Sequence, residues 1–263
     1  MILNTTPDSL EVRVLVNVTN PTPYSAYVPS VNVHILCNGS VIGEVTAEDL
    51  DITRGNNTNL VVTAKWNPSL GGTQGKAIGR NLLSQYISGW NTSLTVRAHR
   101  DSFPSQPVLG EALSHFNLTL TTPRLHLPGD DDDNEGGGSS RNGHFIRGAT
   151  FHLLSSTAAF TLASPLKYNT VYIEHINATA FYRTEPVGRI IYEYPIAAPP
   201  GTSETPRLPV DWSIGNGDTY DKIRKALGGN LKLDAKAVVR VRVGAWRETV
   251  WYEGKGIGAS VRL

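Results

Sequence analysis

The chain has 263 residues, a net charge of +1, 40% hydrophobic and 18% charged residues, which is a globular composition and excludes a largely disordered protein. Its single cysteine, Cys37, excludes an intrachain disulfide, and no run approaches the ~20 consecutive apolar residues of a membrane-spanning helix. The charge is uneven: residues 1–123 hold seven Lys/Arg against eight Asp/Glu, 124–144 two against five, and 145–263 fifteen against ten. The last stretch is therefore the one suited to an anionic partner such as a phospholipid surface.

Met1-Ile2-Leu3-Asn4 has neither the basic nor the apolar region of a signal peptide. From Val12 to Thr19 the valines alternate with polar residues, as in a strand with one face buried, and Asn20-Pro21 closes the run. Val31, Val33 and Ile35 alternate ahead of an Asn38-Gly39 hairpin turn, and Leu60 to Trp66 is a further β-rich run. Lys76 to Ser88 sets Ile78, Leu82, Leu83, Tyr86 and Ile87 on one helical stripe, with Gly89 as the stop. Phe116, Leu118 and Leu120 then alternate with Asn117, Thr119 and Thr121.

Residues 124–144 break the pattern. Asp130 to Asp133, Glu135 and the Gly136-Gly137-Gly138-Ser139-Ser140 run repel one another and offer nothing to bury, so they read as a solvated acidic linker. Their spacing lacks the interleaved carboxylates and glycine turn of a calcium loop.

Beyond the linker the order of features returns. Ser164-Pro165 closes a strand as Asn20-Pro21 does; Pro21 precedes Gly43 by 22 residues and Trp66 by 45, and Pro165 precedes Gly188 by 23 and Trp212 by 47. A second helix is expected from Asp218 through Tyr220, Ile223 and Leu227 to Gly228, followed by a strand in which Val239, Val241 and Val243 alternate with Arg240 and Arg242. Gly254 to Gly258 superficially resembles a dinucleotide loop, but no helix pattern follows, so a glycine-bent strand is expected. The repeat predicts an all-β protein of two tandem antiparallel β-sandwich domains, 1–123 and 145–263, each with one short helix, joined by the 124–144 linker.

Seven Asn-x-Ser/Thr sequons occur, at Asn4, Asn17, Asn38, Asn56, Asn91, Asn117 and Asn177. Two readings stand: glycan acceptors on the wet side of strands, or simply the polar half of alternating patterns. No serine-hydrolase elbow, phosphate loop or zinc-protease pair occurs, and the seven histidines lack ligand spacing. No catalytic, cofactor or metal residue is therefore assigned, and a non-enzymatic protein is expected. Arg240, Arg242 and Arg247 with Lys232 and Lys236 form a basic stripe without the interleaved aromatics of a nucleic-acid surface.

Asn20-Pro21, Tyr24, Val28-Pro29 and the hairpin from Val31 to Gly43, with the later helix and strands, resemble the type-2 late-embryogenesis-abundant (water-stress) domain. Asn20 to Pro29 looks most like the tandem version in fungal vacuolar membrane proteins, a group filed as a domain of unknown function. The likeness covers nearly all of the chain except the linker and is weaker in the second copy, where Ser164-Pro165 replaces Asn-Pro. It implies immunoglobulin- or fibronectin-like sandwiches held in the vacuole lumen by a membrane anchor expected upstream of this chain. It also implies a link to signalling that ends autophagy, and lipid held or passed along an apolar groove, with membrane lipid as partner and the lipid-binding residues unknown. The alternative is a secreted carbohydrate- or protein-binding sandwich in which Trp66, Trp90, Trp212, Trp246 and Trp251 supply stacking rings.

Overall fold

The computed structural model describes residues 1–122, 145–212 and 230–262. The architecture is all-β, as the sequence predicts, with two sheets of sandwich-domain type. The chain resolves into two compact units: Met1–Leu82 with Thr92–Thr122 and Gly244–Trp246, and Leu83–Asn91 with Pro123–Val243 and Arg247–Leu263.

In the first unit β1 (Ile2–Thr5), β2 (Leu10–Asn20), β3 (Ala26–Cys37), β4 (Ser40–Ile52), β5 (Gly55–Trp66), β6 (Ser93–Arg97) and β7 (Asn117–Thr121) form one antiparallel sheet in the order β1-β2-β5-β4-β3-β6-β7. The β3–β4 turn is the expected one: Asn38 and Gly39 both take positive φ, 47° and 80°, the geometry that matches the twist of the flanking strands. The helix predicted over 76–88 starts earlier, as α1 (Gly72–Ile87), and Gly89 ends it at φ 77°.

Contrary to the expectation of one helix per domain, a second short helix, α2 (Pro107–Leu113), follows a 3-10 turn at Arg100–Ser102. Proline at its first position sets the helical φ, but seven residues are too few to print a periodicity on the sequence. The helix predicted from Asp218 and the 124–144 linker lie outside the described residues.

In the second unit β8 (Ile146–His152), β9 (Thr157–Ser164), β10 (Val171–Tyr182), β11 (Glu185–Tyr192), β12 (Ile196–Ala198), β13 (Gly201–Glu204), β14 (Leu208–Pro209), β15 (Asn230–Val243) and β16 (Trp246–Arg262) form a nine-stranded sheet. Its path runs β11-β10-β15-β16-β8-β9-β13, with β12 beside β10 and β14 beside β9. It is not wholly antiparallel: β16 runs parallel to β8, pairing Ala259 with Ala149 and Val261 with Phe151. The glycines at 254, 256 and 258 lie inside β16, so this stretch is a strand, as the sequence predicts, and Gly256 takes a positive φ of 65°.

The repeat has a structural meaning. In the first unit Gly43 pairs with Trp66 across β4 and β5, and a Cβ at Gly43 would overlap the Lys65 carbonyl oxygen. In the second unit Arg189 pairs with Asp211, and a Cβ at Gly188 would come within 3.2 Å of the Trp212 ring. Each glycine lets the segment bearing the tryptophan approach closely.

Among the described residues 145–262, the buried apolar set is broad and includes Phe151, Leu162, Ile173, Ile190, Leu208, Val250 and Val261. From 1 to 122 it is short: Leu36, Cys37, Ile42, Ala47, Val62 and Leu82. Ile78 and Leu82 of α1 pack with Cys37, Ile42, Ile35, Trp66 and Leu94, covering the end of the sheet next to the β3–β4 turn. The single cysteine is thus a small core residue, its thiol pushed up by burial.

Within the second unit the segment Leu83–Asn91 meets the middle of β16 in an unusual way. The Trp251 amide donates to Ser84 Oγ and the Glu253 amide to Ser88 Oγ, both at 3.0 Å. Two serines one helical turn apart match two alternate strand amides, so hydroxyls stand in for a neighbouring strand.

Candidate functional site

Candidate functional features concentrate on the two faces of the first unit's sheet. Residues paired across strands share a face, so the register sorts every side chain to one side or the other. One row crosses all seven strands: Asn4, Glu11, Lys65, Glu44, His34, Arg97 and Asn117, from β1 to β7. Opposite charges alternate at Glu11, Lys65 and Glu44, a favourable cross-strand arrangement.

Sequons lie on this polar face. Asn4 and Asn117 are its two ends, and both are exposed. Asn17 is exposed on the side of β2 away from Val16, with its Oδ1 accepting from the Asn59 amide at 3.0 Å. Asn56 pairs with Thr19, whose hydroxyl donates to Asn56 Oδ1 at 2.9 Å, so it shares the face with Asn17. Asn38 is exposed at the β3–β4 turn and Asn91 is exposed between α1 and β6.

Asn177 differs. It lies mid-strand in β10, half-buried, and its Oδ1 accepts from Arg189 Nε and Nη2, both at 3.3 Å. It lines a groove together with Trp90 and Trp251.

The opposite face is apolar in every strand but β1. Val12, Val14 and Val16 of β2 pair with Ala64, Val62 and Leu60 of β5, Ala64 pairs with Val45 of β4, and Val31 and Val33 of β3 pair with Ala47 and Val45. Towards the other edge Ile35 pairs with Val96, and Val96 and Leu94 with Leu118 and Leu120. Val62 and Ala47 are buried, whereas Val14 is 36%, Leu120 45% and Leu118 59% exposed. No sequon asparagine paired in β1, β2, β5 or β7 lies on this side.

On the polar face the His34 ring stacks on His99, with centroids 4.2 Å apart and planes 21° apart, and His99 Nε2 lies 3.2 Å from Asn32 Oδ1. Burial, then the neighbouring His99, hold His34 below the usual imidazole range. Sequence reading missed this pair. The two residues are 65 positions apart, and only the β3–β6 register brings them together.

The basic stripe of the second unit is partly paired from within, at three of its five cations. Arg242 Nε lies 2.7 Å from Glu174 Oε1 and its guanidinium sits 4.2 Å above the Tyr172 ring; Arg247 lies 3.6 Å from the same carboxylate; Lys236 lies 3.0 Å from Glu253. Such pairing leaves less charge for an anionic surface than the sequence suggests.

The five tryptophans do not form one platform. Trp246 is buried, Trp66 packs on the core cluster, and Trp212 meets Phe151 edge-on at 5.4 Å; only Trp90 is exposed, at 48%. Among the described residues no group of three or more His, Cys, Asp or Glu is arranged to hold a metal, and no helix is long and apolar enough to cross a membrane.

Two family descriptions match the chain in tandem. Residues 1–110 match the Tag1-like fourth LEA-2 like domain, and residues 138–251 match the Tag1-like fifth LEA-2 like domain. No curated protein matches. Among solved structures, one described as a crystal structure of a protein from Archaeoglobus fulgidus is 11% identical, covering 37% of this chain and 77% of its own, at a TM-score of 0.23.

Proposed function

We infer the function from the family to which the chain belongs, the Tag1-like proteins, whose fourth and fifth LEA-2-like domains it carries in tandem. Domains of this kind are generally non-enzymatic, and the chain is a β-rich domain pair. Our reading is that the pair stands in the lumen of the fungal vacuole, anchored to its membrane by a segment upstream of this chain, and holds lipid on the apolar face of the first sheet.

One observation carries this reading: four sequons share one face of the sheet and the continuous apolar set lies on the other, although Leu15 and Val61, paired with each other, stand exposed on the sequon face. Asn4, Asn17, Asn56 and Asn117 all stand on the polar side, where a bulky glycan meets only water. The sequon-free side is a continuous set of valines and leucines with exposed members at Val14, Leu118 and Leu120, and apolar surface of this kind marks a place where something apolar docks. An acyl chain suits it because a lipid tail needs no hydrogen-bond partners, and this face offers few.

The test is lipid extraction and mass spectrometry of the full chain secreted from a fungal host, followed by transfer of a fluorescent phospholipid between vesicles. We expect copurified lipid and measurable transfer, both reduced several-fold by Val14→Asp with Leu118→Asp, since a charge in contact with an acyl chain costs roughly 2–4 kcal/mol or more. A clean protein with no lipid and no transfer would sink the lipid reading. Peptide mapping of the same sample tests the lumen: occupied Asn17, Asn56 and Asn117 are the expected result, and bare asparagines throughout the opposing one.

A further inference from the structure

A groove of about 470 Å³ crosses the outer side of β10, β15 and β16 in the second unit, within the size range of small-ligand sites (~300–1,000 Å³). One wall is aromatic: Trp90 and Trp251 meet edge to face, with centroids 5.4 Å apart and planes 64° apart. Trp90 is held there because the segment carrying it is fixed to β16 through Ser84 and Ser88. Val238, 46% exposed and paired directly with Asn177, continues the apolar floor.

The other wall is polar and nearly neutral. Lys236 and Glu253 form an ion pair at 3.0 Å, so together they add no net charge to the groove. Arg189 occupies Asn177 Oδ1, which leaves the amide nitrogen as the group turned to hydrogen-bonding elsewhere.

We propose that this groove seats a neutral pyranose sugar. A sugar ring has a flat face of C–H groups that packs on an indole and a rim of hydroxyls that both donate and accept. The groove supplies both halves: aromatic surface at Trp90 and Trp251, a carboxylate and an amide to accept and donate, and an ammonium to donate. Other chemistries fit less well. An acyl chain would strip water from the Lys236–Glu253 ion pair and from the Asn177 amide nitrogen and give them no hydrogen bond in return. An anion would have to displace Glu253 from Lys236 and face its carboxylate.

The sugar has two sources, a free or partner-borne saccharide and the glycan of Asn177 itself, whose sequon lies in the groove. The experiment separates them. The full chain made in a bacterial host, free of glycans, is titrated with glucose, mannose, N-acetylglucosamine and their short oligomers while tryptophan emission is followed. Saturable binding at roughly 0.1–10 mM, weakened about tenfold or more by Trp90→Ala, supports a sugar from outside. The chain made in a glycosylating host supplies the other arm: an occupied Asn177, with Trp90 emission that shifts on Asn177→Gln, supports the chain's own glycan as occupant.

Val238→Arg, which fills the groove from an exposed strand position, provides a second variant, and far-UV circular dichroism checks that each variant is folded. Titrations flat to about 100 mM together with Trp90 emission indifferent to Asn177→Gln overturn the proposal. Binding that survives both Trp90→Ala and Val238→Arg unchanged overturns it too, because the sugar then sits elsewhere. Neither result bears on lipid binding by the first unit, which uses other residues and another assay.

Discussion

Residues 1–122 and 145–262 carry the same plan of proline-closed strand, glycine and tryptophan, yet they use the stretch between glycine and tryptophan differently. From Gly43 to Trp66 there is no proline, and the chain makes two long strands, β4 and β5, that run the sheet on without a break. From Gly188 to Trp212 there are prolines at 195, 199, 200, 206 and 209, and the chain breaks into three short strands beside β9 and β10. A proline removes a ladder donor and fixes φ, so long pairing cannot persist through this region. The unbroken version leaves a broad apolar face partly exposed; the interrupted one belongs to the unit with the dense core. Strand length follows where the prolines fall.

The sharpest way to break this contrast is to remove packing from the dense unit. Leu208→Ala, at a residue 1% exposed, is expected to cost about 2–5 kcal/mol, read as a lower midpoint in denaturant. A loss below about 1 kcal/mol would mean that the second unit is no better packed than the first.

Next in size is an alkaline effect. Burial, opposed weakly by the Ile146 backbone, pushes the Tyr252 hydroxyl up to about 12 from 10.0. The folded state therefore holds its proton where the unfolded state has lost it. Stability from this group is complete below pH 10 and is lost as pH rises from 10 to about 12, amounting to about 2–3 kcal/mol. Spectrophotometric titration should show one tyrosine ionising last, and Tyr252→Phe should flatten the alkaline limb of the stability curve.

Removing one of the serines that face β16 comes third. Ser84→Ala takes away the buried hydroxyl that accepts from the Trp251 amide and is expected to cost about 1–2 kcal/mol, with faster exchange of that amide. Unchanged exchange would show that the hydroxyl is not its protecting partner.

The smallest effect is expected on the open face of the first unit. Val14→Ala, at a residue 36% exposed, should change stability by about 0.5 kcal/mol or less. A loss of several kcal/mol there would reveal that the face is covered, and the contrast between the units would collapse.

Much of this was legible in the sequence, for reasons that can be named. Asn20-Pro21 and Ser164-Pro165 end β2 and β9 as proline demands, and the Asn38-Gly39 turn takes the positive φ values that favour that pair. The glycine and tryptophan spacings revealed the repeat, but not that Gly43 pairs with Trp66 across β4 and β5 or that Gly188 lies against the Trp212 ring. Pairing depends on register between distant segments, which alternation within one strand does not encode.

The same limit applies to the candidate site. Alternation placed Asn17 and Asn117 on polar faces, yet that Asn4, Asn17, Asn56 and Asn117 share one face of one sheet needed the cross-strand partners. That Asn177 lines a groove with Trp90 and Trp251 was equally out of reach, since those residues lie far from it in the sequence. The stacked His34 and His99 left no local trace at all.

The parallel pairing of β8 with β16 has a consequence for how the chain is made. Ala149 waits for Ala259, and Phe151 for Val261, so the first strand of the second unit stays without this neighbour until more than a hundred further residues have been synthesised. The first unit depends on no such late arrival for β2 to β7, and its strands can pair as they emerge. During synthesis, then, a nearly complete first sheet with its apolar side open would coexist with an unfinished second one. Whatever shields apolar surface at that stage, chaperone or lipid, meets the first sheet before the second unit exists.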